Sequence, residues 1–184
     1  MNKKKAAIEY LSSIMLICLT GILLIYCIRF KEIKLCQMKI RDCMDISALA
    51  AAVIDTDELY STGMIRVNSV ANTRTLFEKT LKQNLNLDEN MIPVEKSVYD
   101  KINIHKFIVY RIVNDEYIMK YEIDANHYCY STRIPYDKTQ RTPDGKLIEG
   151  ETIYIDAGTY VEGLFSGKKY EHITSCVDIV SSDV

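Results

Sequence analysis

Glu9 carries the clearest chemical signal in this chain of 184 residues. It is the single charge in the run from Ala6 to Ile28, and Tyr10 follows it directly. A carboxylate in a hydrocarbon layer costs about 3 kcal/mol at mid-membrane and less near the interface. It therefore either reaches the headgroups or takes a compensating partner from another helix. Glu9 and Tyr10 are candidate residues for helix association within a membrane. The other reactive side chains form no catalytic pattern. His105, His127 and His172 are scattered. His127-x-Cys129 with Cys176 could be drawn as a metal site, but it contains neither a C-x-x-C pair nor H-E-x-x-H. No G-x-S-x-G, P-loop or dinucleotide fingerprint occurs, and no spacing among the many acidic residues selects an acid–base pair. The expectation is a non-enzymatic protein with no catalytic residue, metal or cofactor.

The six cysteines divide by position. Cys18 and Cys27 lie in the apolar run and read as small apolar residues. Cys36 and Cys43 are seven apart on one helix face, too far to bridge within one helix, though each could bridge to a neighbouring element. Cys129 and Cys176 both fall on expected strands. They form a disulfide if the domain lies outside the cytoplasm, or stay as free buried thiols.

The elements that must position these residues begin with the anchor. At 1.5 Å per residue, Ala6–Ile28 is long enough to cross a hydrocarbon core of about 30 Å. It exceeds a signal-peptide apolar region and ends without an A-x-A-like site, so it reads as a permanent anchor. Lys3, Lys4 and Lys5 precede it, whereas Arg29, Lys31, Lys34, Lys39 and Arg41 follow it. Charge alone therefore does not select an orientation. The chain carries a formal net charge of −2, and the part beyond residue 29 is more acidic still. That balance excludes an electrostatic footprint for nucleic acid.

Beyond the anchor, Ile33, Gln37, Ile40, Met44, Ser47, Ala51 and Ile54 recur at spacings of three and four, with no Pro or Gly between Phe30 and Asp55. The same helix is expected to continue and to pack by this stripe, with Ala48–Ala52 allowing close approach. Gly63 marks a break. A second helix is expected to start near Asn68, Ser69 or Asn72, with Val70, Thr73, Phe77, Leu81 and Leu85 on one face. That face suits packing onto the domain's own sheet. Strands are expected at Phe107–Val113, Glu116–Asp124, Tyr128–Ile134, Thr152–Ile155, Thr159–Leu164 and Ile173–Val180. Turns are expected at Asn114-Asp115 and Pro143-Asp144-Gly145-Lys146. Five of the seven glycines lie between Gly145 and Gly167, which reads as hairpin turns or a flap. The fold class is α+β: a long N-terminal transmembrane helix extending into an amphipathic helix, a second helix, then an antiparallel sheet. The divisions are 1–29 for tail and anchor, 30–60 for the helical extension or stalk, and 61–184 for the α+β domain.

The Lys-rich start, Ala6-Ala7-Ile8-Glu9-Tyr10 and the uninterrupted apolar helix resemble the N-terminus of type IV pilin-like proteins. The closest likeness is to the TadE-like and Flp branch of the tight-adherence pilus systems. Ser47–Ala52 and Thr75–Asp88 are also similar to TadE-like proteins, so the likeness covers roughly residues 1–92. The resemblance implies a cytoplasmic N-terminus and an extracytoplasmic domain on a single-pass membrane anchor. It implies a structural role as a minor subunit or assembly factor of a pilus or related secretion apparatus. The implied partners are other pilin-like subunits, pilus assembly platform proteins and a prepilin peptidase. In that family the peptidase usually cuts after a Gly a few residues before the Glu; here that position is Lys4, and no Gly precedes Gly21. The processing region is thus Lys4, Lys5 and Ala6, cut after a non-Gly residue or left uncut. A different class remains open: an anchored extracytoplasmic binding or sensory domain using its tyrosine-rich sheet.

Overall fold

The computed structural model describes residues 3–63, 66–113, 116–163 and 167–179. One helix, α1, runs without interruption over Lys3–Ala51. It stops where small, helix-favouring residues give way to Val53 and Ile54, whose β-branched side chains disfavour helix. Asp55 then accepts a hydrogen bond on its side chain from the Asp57 amide at 3.1 Å, opening a short α2, Thr56–Thr62. Gly63, at φ +71°, ends it in the left-handed region that glycine enters without strain. Seven residues are too few to print a helical period, and the sequence pattern did not reveal α2.

α3 spans Val70–Leu85 with Ser69 at its N-cap position. Asn86 adopts φ 52° at its C-terminal end, and the Leu87 amide bonds back to the Lys82 carbonyl at 2.8 Å. Thr73, Phe77, Leu81 and Leu85 are buried, as their spacing predicted. Arg74 is buried with them; its Nη1 donates to the Ile123 carbonyl at 2.6 Å and its Nε to Glu78 at 2.8 Å. These bonds satisfy the guanidinium that the apolar pattern did not foresee on this face.

Five antiparallel strands follow: β1 Asn103–Val113, β2 Tyr117–Ile123, β3 Cys129–Pro135, β4 Glu151–Glu162 and β5 Lys168–Ile179. Their spatial order is β3-β2-β1-β4-β5. The first three form a meander, and the long 136–150 connection returns β4 to the free side of β1 in a Greek-key order. The sequence suggested two strands at 152–155 and 159–164. The structure joins them into one, with β4 pairing β5 continuously from Glu151↔Ile179 to Glu162↔Lys168. Gly158 is therefore a strand residue, not a turn. Gly145, at φ +90°, does form the expected turn, closed by the Thr142 and Gly145 backbone bonds. The expected turn at Asn114-Asp115 and the residues Leu164 and Val180 lie outside the described positions.

The sheet's inner face carries Phe107, Val109, Ile123, Ile153, Ile155 and Ala157 onto α1 and α3. α1 contributes Ile40, Met44, Ala48 and Ala51 to this core, so its stripe packs rather than standing free as a stalk. Phe77 meets Phe107 at a ring separation of 5.3 Å. A second cluster on the outer face, Ile108, Tyr110, Ile118 and Tyr154, is covered by Ile148 and Tyr136 of the 136–150 connection. The segment before α3 is fastened by a buried ion pair. Arg111 Nη2 lies 2.9 Å from Glu151 Oε1 and donates to the Val67 carbonyl at 2.7 Å, while the Val67 amide donates to Glu151 Oε2 at 3.1 Å. Burial pushes the Glu151 carboxyl above its ordinary range, against the opposing pull of Arg111.

Removing one partner should leave the other charge buried and unpaired. Arg111→Met is expected to destabilise the domain by about 3–5 kcal/mol, read by thermal and denaturant melts of the full chain in detergent. The raised Glu151 pKa fixes the sign with pH. Its contribution is fully present below the unfolded carboxyl pKa and is lost as pH rises through the folded one. Arg111→Met should steepen that loss, and a variant whose melting shows no added pH dependence would contradict the assignment.

Candidate functional site

The chemistry of α1 is set by the exposure of its apolar segment among the described residues. Its described residues from Glu9 to Phe30 are exposed along almost their whole length, and the segment is long and apolar enough to cross a membrane. Every interior backbone donor and acceptor is consumed within the helix, the requirement hydrocarbon imposes. The hydroxyls do not stay free either. Ser12 and Ser13 both donate to the Glu9 carbonyl, at 2.9 and 2.8 Å, and Thr20 donates to the Ile17 carbonyl at 2.9 Å. The Glu9 carboxylate itself meets no partner among the described residues. Tyr10 is beside it and exposed. Lys4, Lys5 and Ala6 form part of the first turns of α1, ahead of this segment.

At the far end of the helix the thiols are packed. Cys36 and Cys43 lie against the core, and burial raises both above the ordinary thiol pKa. Their low thiolate content makes them poor nucleophiles at neutral pH. The Cys129–Cys176 pairing is not made: both are free thiols. Cys129 opposes Ile123 on the β3 edge, and Cys176 opposes Tyr154 on β5 at the opposite edge. Four inter-strand spacings separate the two edges, about 19 Å, far beyond disulfide reach. Cys176 is half-buried, and burial together with nearby Asp144 pushes it up to about 11. The same topology disperses the metal arrangement drawn from His127, Cys129 and Cys176. Among the described residues no group of three or more His, Cys, Asp and Glu side chains could hold a metal ion.

The structure does assemble a cluster that the linear sequence hid. β1 carries a bulge between Ile104 and Lys106, which turns His105 toward the open half of the outer sheet face. There the His105 ring lies 5.6 Å from His172 on β5, and its Nε2 hydrogen-bonds the Tyr170 hydroxyl. Tyr170 meets His172 edge-on at 5.2 Å and Tyr160 edge-on at 4.8 Å. His172 Nδ1 sits 3.4 Å from Asp156. The missing side chain of Gly158 makes room for this group: a Cβ there would run into the Tyr170 ring. An aromatic laid diagonally over a strand glycine covers the backbone that glycine leaves bare. The result is a surface of ring edges and imidazole nitrogens.

His127 goes elsewhere. Its ring reaches Thr75 at 3.3 Å and Glu78 at 3.8 Å, on the wall of a shallow polar groove of about 690 Å³ along α3. Lys82 and Glu89 pair across that groove at 2.7 Å. Only the Gly158 position offered a hint of the ring cluster in the sequence. The bulge and the β4–β5 register, which bring the rings together, are tertiary.

Gly158→Ala should force the Tyr170 ring off β4 and break its bond to His105. The expected result is a loss of about 1–3 kcal/mol with a change in tyrosine fluorescence. An unchanged melt and spectrum would show that the ring is not held there. Comparison with protein families, with characterised proteins and with solved structures finds no match.

Proposed function

We propose that this chain is a non-enzymatic structural protein: a pilin-like minor subunit or assembly factor of a tight-adherence-type pilus or related secretion apparatus. In this reading α1 crosses the membrane once, its N-terminus is cytoplasmic and its domain extracytoplasmic. The observation that carries it is the continuity of α1. The exposed apolar segment bearing Glu9 and the stripe that enters the domain core belong to one unbroken helix, Lys3–Ala51. A domain joined to its anchor without a hinge transmits position and force along the helix axis, which a structural subunit needs. The unpartnered Glu9 carboxylate in that helix is matched to a compensating group on a neighbouring subunit or platform protein. The resemblance of Lys3–Tyr10 and Ser47–Ala52 to TadE-like proteins points the same way.

The alternative, an anchored extracytoplasmic binding or sensory domain, is favoured by the His105–Tyr160–Tyr170–His172 surface. It requires only an apolar anchor and makes Glu9 replaceable by Leu.

Cross-linking in the native membrane, followed by purification and mass spectrometry, separates the two. The structural reading expects pilin-like subunits or a pilus assembly platform in the recovered material. It also expects Glu9→Ala to reduce that recovery roughly tenfold, the effect of losing about 1–2 kcal/mol of intramembrane association. The melt of the domain should not change. Recovery of the protein alone, or full recovery with Glu9→Ala, would favour the anchored binding domain.

A further inference from the structure

The ring cluster over Gly158 has an internal order that covering a glycine does not require. Its two imidazoles come from different strands, one on each side of β4. His172 is the register partner of Gly158 on β5. His105 is the extra residue of the β1 bulge, between Ile104, which opposes Ala157, and Lys106, which opposes Asp156. β1 and β5 are two inter-strand spacings apart, about 9.6 Å. The two ring centres are only 5.6 Å apart. The rings therefore converge across β4, where Gly158 has no side chain to part them.

Each ring has one nitrogen engaged by an oxygen and one left over. His105 turns Nε2 to the Tyr170 hydroxyl, and His172 turns Nδ1 to Asp156 at 3.4 Å. His105 Nδ1 and His172 Nε2 have no partner among the described residues. A carboxylate at one nitrogen of an imidazole fixes the tautomer that leaves a lone pair on the other, the arrangement found behind metal-holding histidines. The Asp156 side chain is 17 % exposed and that of His172 is 62 % exposed, so the carboxylate sits behind the ring and the ring faces solvent. The spacing also fits a shared ion. A metal bound at about 2.0–2.1 Å from an imidazole nitrogen lies about 3.2 Å from the ring centre. Two such arms joining centres 5.6 Å apart meet at about 120°, an angle open to trigonal and tetrahedral centres.

We propose that His105 and His172 bind one divalent transition-metal ion, through His105 Nδ1 and His172 Nε2. Asp156 is a positioning residue that acts through His172 and does not touch the ion. The chain thus supplies two ligands, fewer than the three or more His, Cys, Asp and Glu side chains of a closed centre. Water fills the remaining positions, which stay open to exchange or to a donor on another molecule. Two neutral imidazoles select Cu(II), Ni(II) and Zn(II) over Mg(II) and Ca(II), which take oxygen ligands, and Cu(II) heads the order of affinity. The site does not depend on how α1 meets the membrane.

The test titrates copper(II) chloride into the full chain in detergent, purified without a polyhistidine tag and with the exposed thiols Cys18, Cys27 and Cys129 replaced by alanine. Tyrosine fluorescence, the copper EPR spectrum and the thermal melt are read. The expected result is saturation at one ion per chain, an EPR spectrum showing nitrogen ligation, and a higher melting temperature with copper than without, since only the folded chain holds the two rings together. His105→Gln and His172→Gln should each remove the saturable binding. Asp156→Asn should weaken it by about tenfold or more while the nitrogen ligation and the metal-free melt stay as they were. His127→Gln, on the α3 groove, should leave binding unchanged, and magnesium(II) should give no response. His105 and His172 are both exposed, so their variants should stay folded, which the metal-free melts check. Absence of saturable binding, binding that survives both His105→Gln and His172→Gln, or an equal loss with His127→Gln would overturn the proposal and leave the rings as a cover for Gly158.

Discussion

One helix has to satisfy two surroundings, and the rest of the structure depends on how α1 does it. Over Lys3–Ala51 the backbone is a single hydrogen-bonded ladder about 73 Å long. From Tyr10 to Ile28 it carries no charge and is exposed along almost its whole length. Its second half is sided, with Ile40, Met44, Ala48 and Ala51 fully or nearly fully buried. Because α1 runs unbroken from Lys3 to Ala51, Gly21 included, the side that faces the core at Met44 sets the rotational position of Glu9. The apolar segment and the stripe that enters the domain core therefore belong to one continuous helix.

The domain holds that setting with a few polar ties laid across apolar layers. Ser175 on β5 donates to Asp45 on α1 at 2.5 Å, and Asn84 on α3 donates to Ser47 on α1 at 3.1 Å. Arg74 caps the end of β2, and Arg111 with Glu151 clasps the Val67 backbone. Among the described residues no buried side-chain nitrogen or oxygen lacks a partner. Buried pairs of this kind return little net stability over apolar packing, but a wrong helix register would leave each of them unpaired. They act on the choice of register more than on the depth of the energy well.

The two sheet faces then take different roles. The inner face is filled by α1 and α3. The outer face is covered at one end by the 136–150 connection, tied down by Lys146 to Asp178 at 2.8 Å, and left open at the other. The open end is where the Gly158 gap, the His105 bulge and the long β4–β5 pairing bring four rings together. Free thiols at opposite sheet edges mean that this arrangement is held by strand pairing and packing alone.

Much of this was readable before the fold was known. Spacings of three and four gave α1 its core stripe and α3 its buried face, because helical geometry maps those intervals onto one side. Alternation puts Tyr117, Met119, Tyr121 and Ile123 of β2 on one side, of which Ile123 is buried and Tyr121 packs against the inner core, and the lone Glu9 marked the apolar segment. These are local properties, written in residue order. What needed three dimensions was every pairing between distant residues. Cys129 and Cys176 looked alike as strand cysteines, yet strand order puts them on opposite edges. Gly158 looked like a turn until Tyr170 filled its place. His105 and His172 lie 67 positions apart in residue number and meet only through the β1–β4–β5 register. Sequence alone determined the elements and their apolar faces, since both follow from backbone geometry and burial. Only the tertiary structure decided which faces remained uncovered, because that depends on which elements reach them.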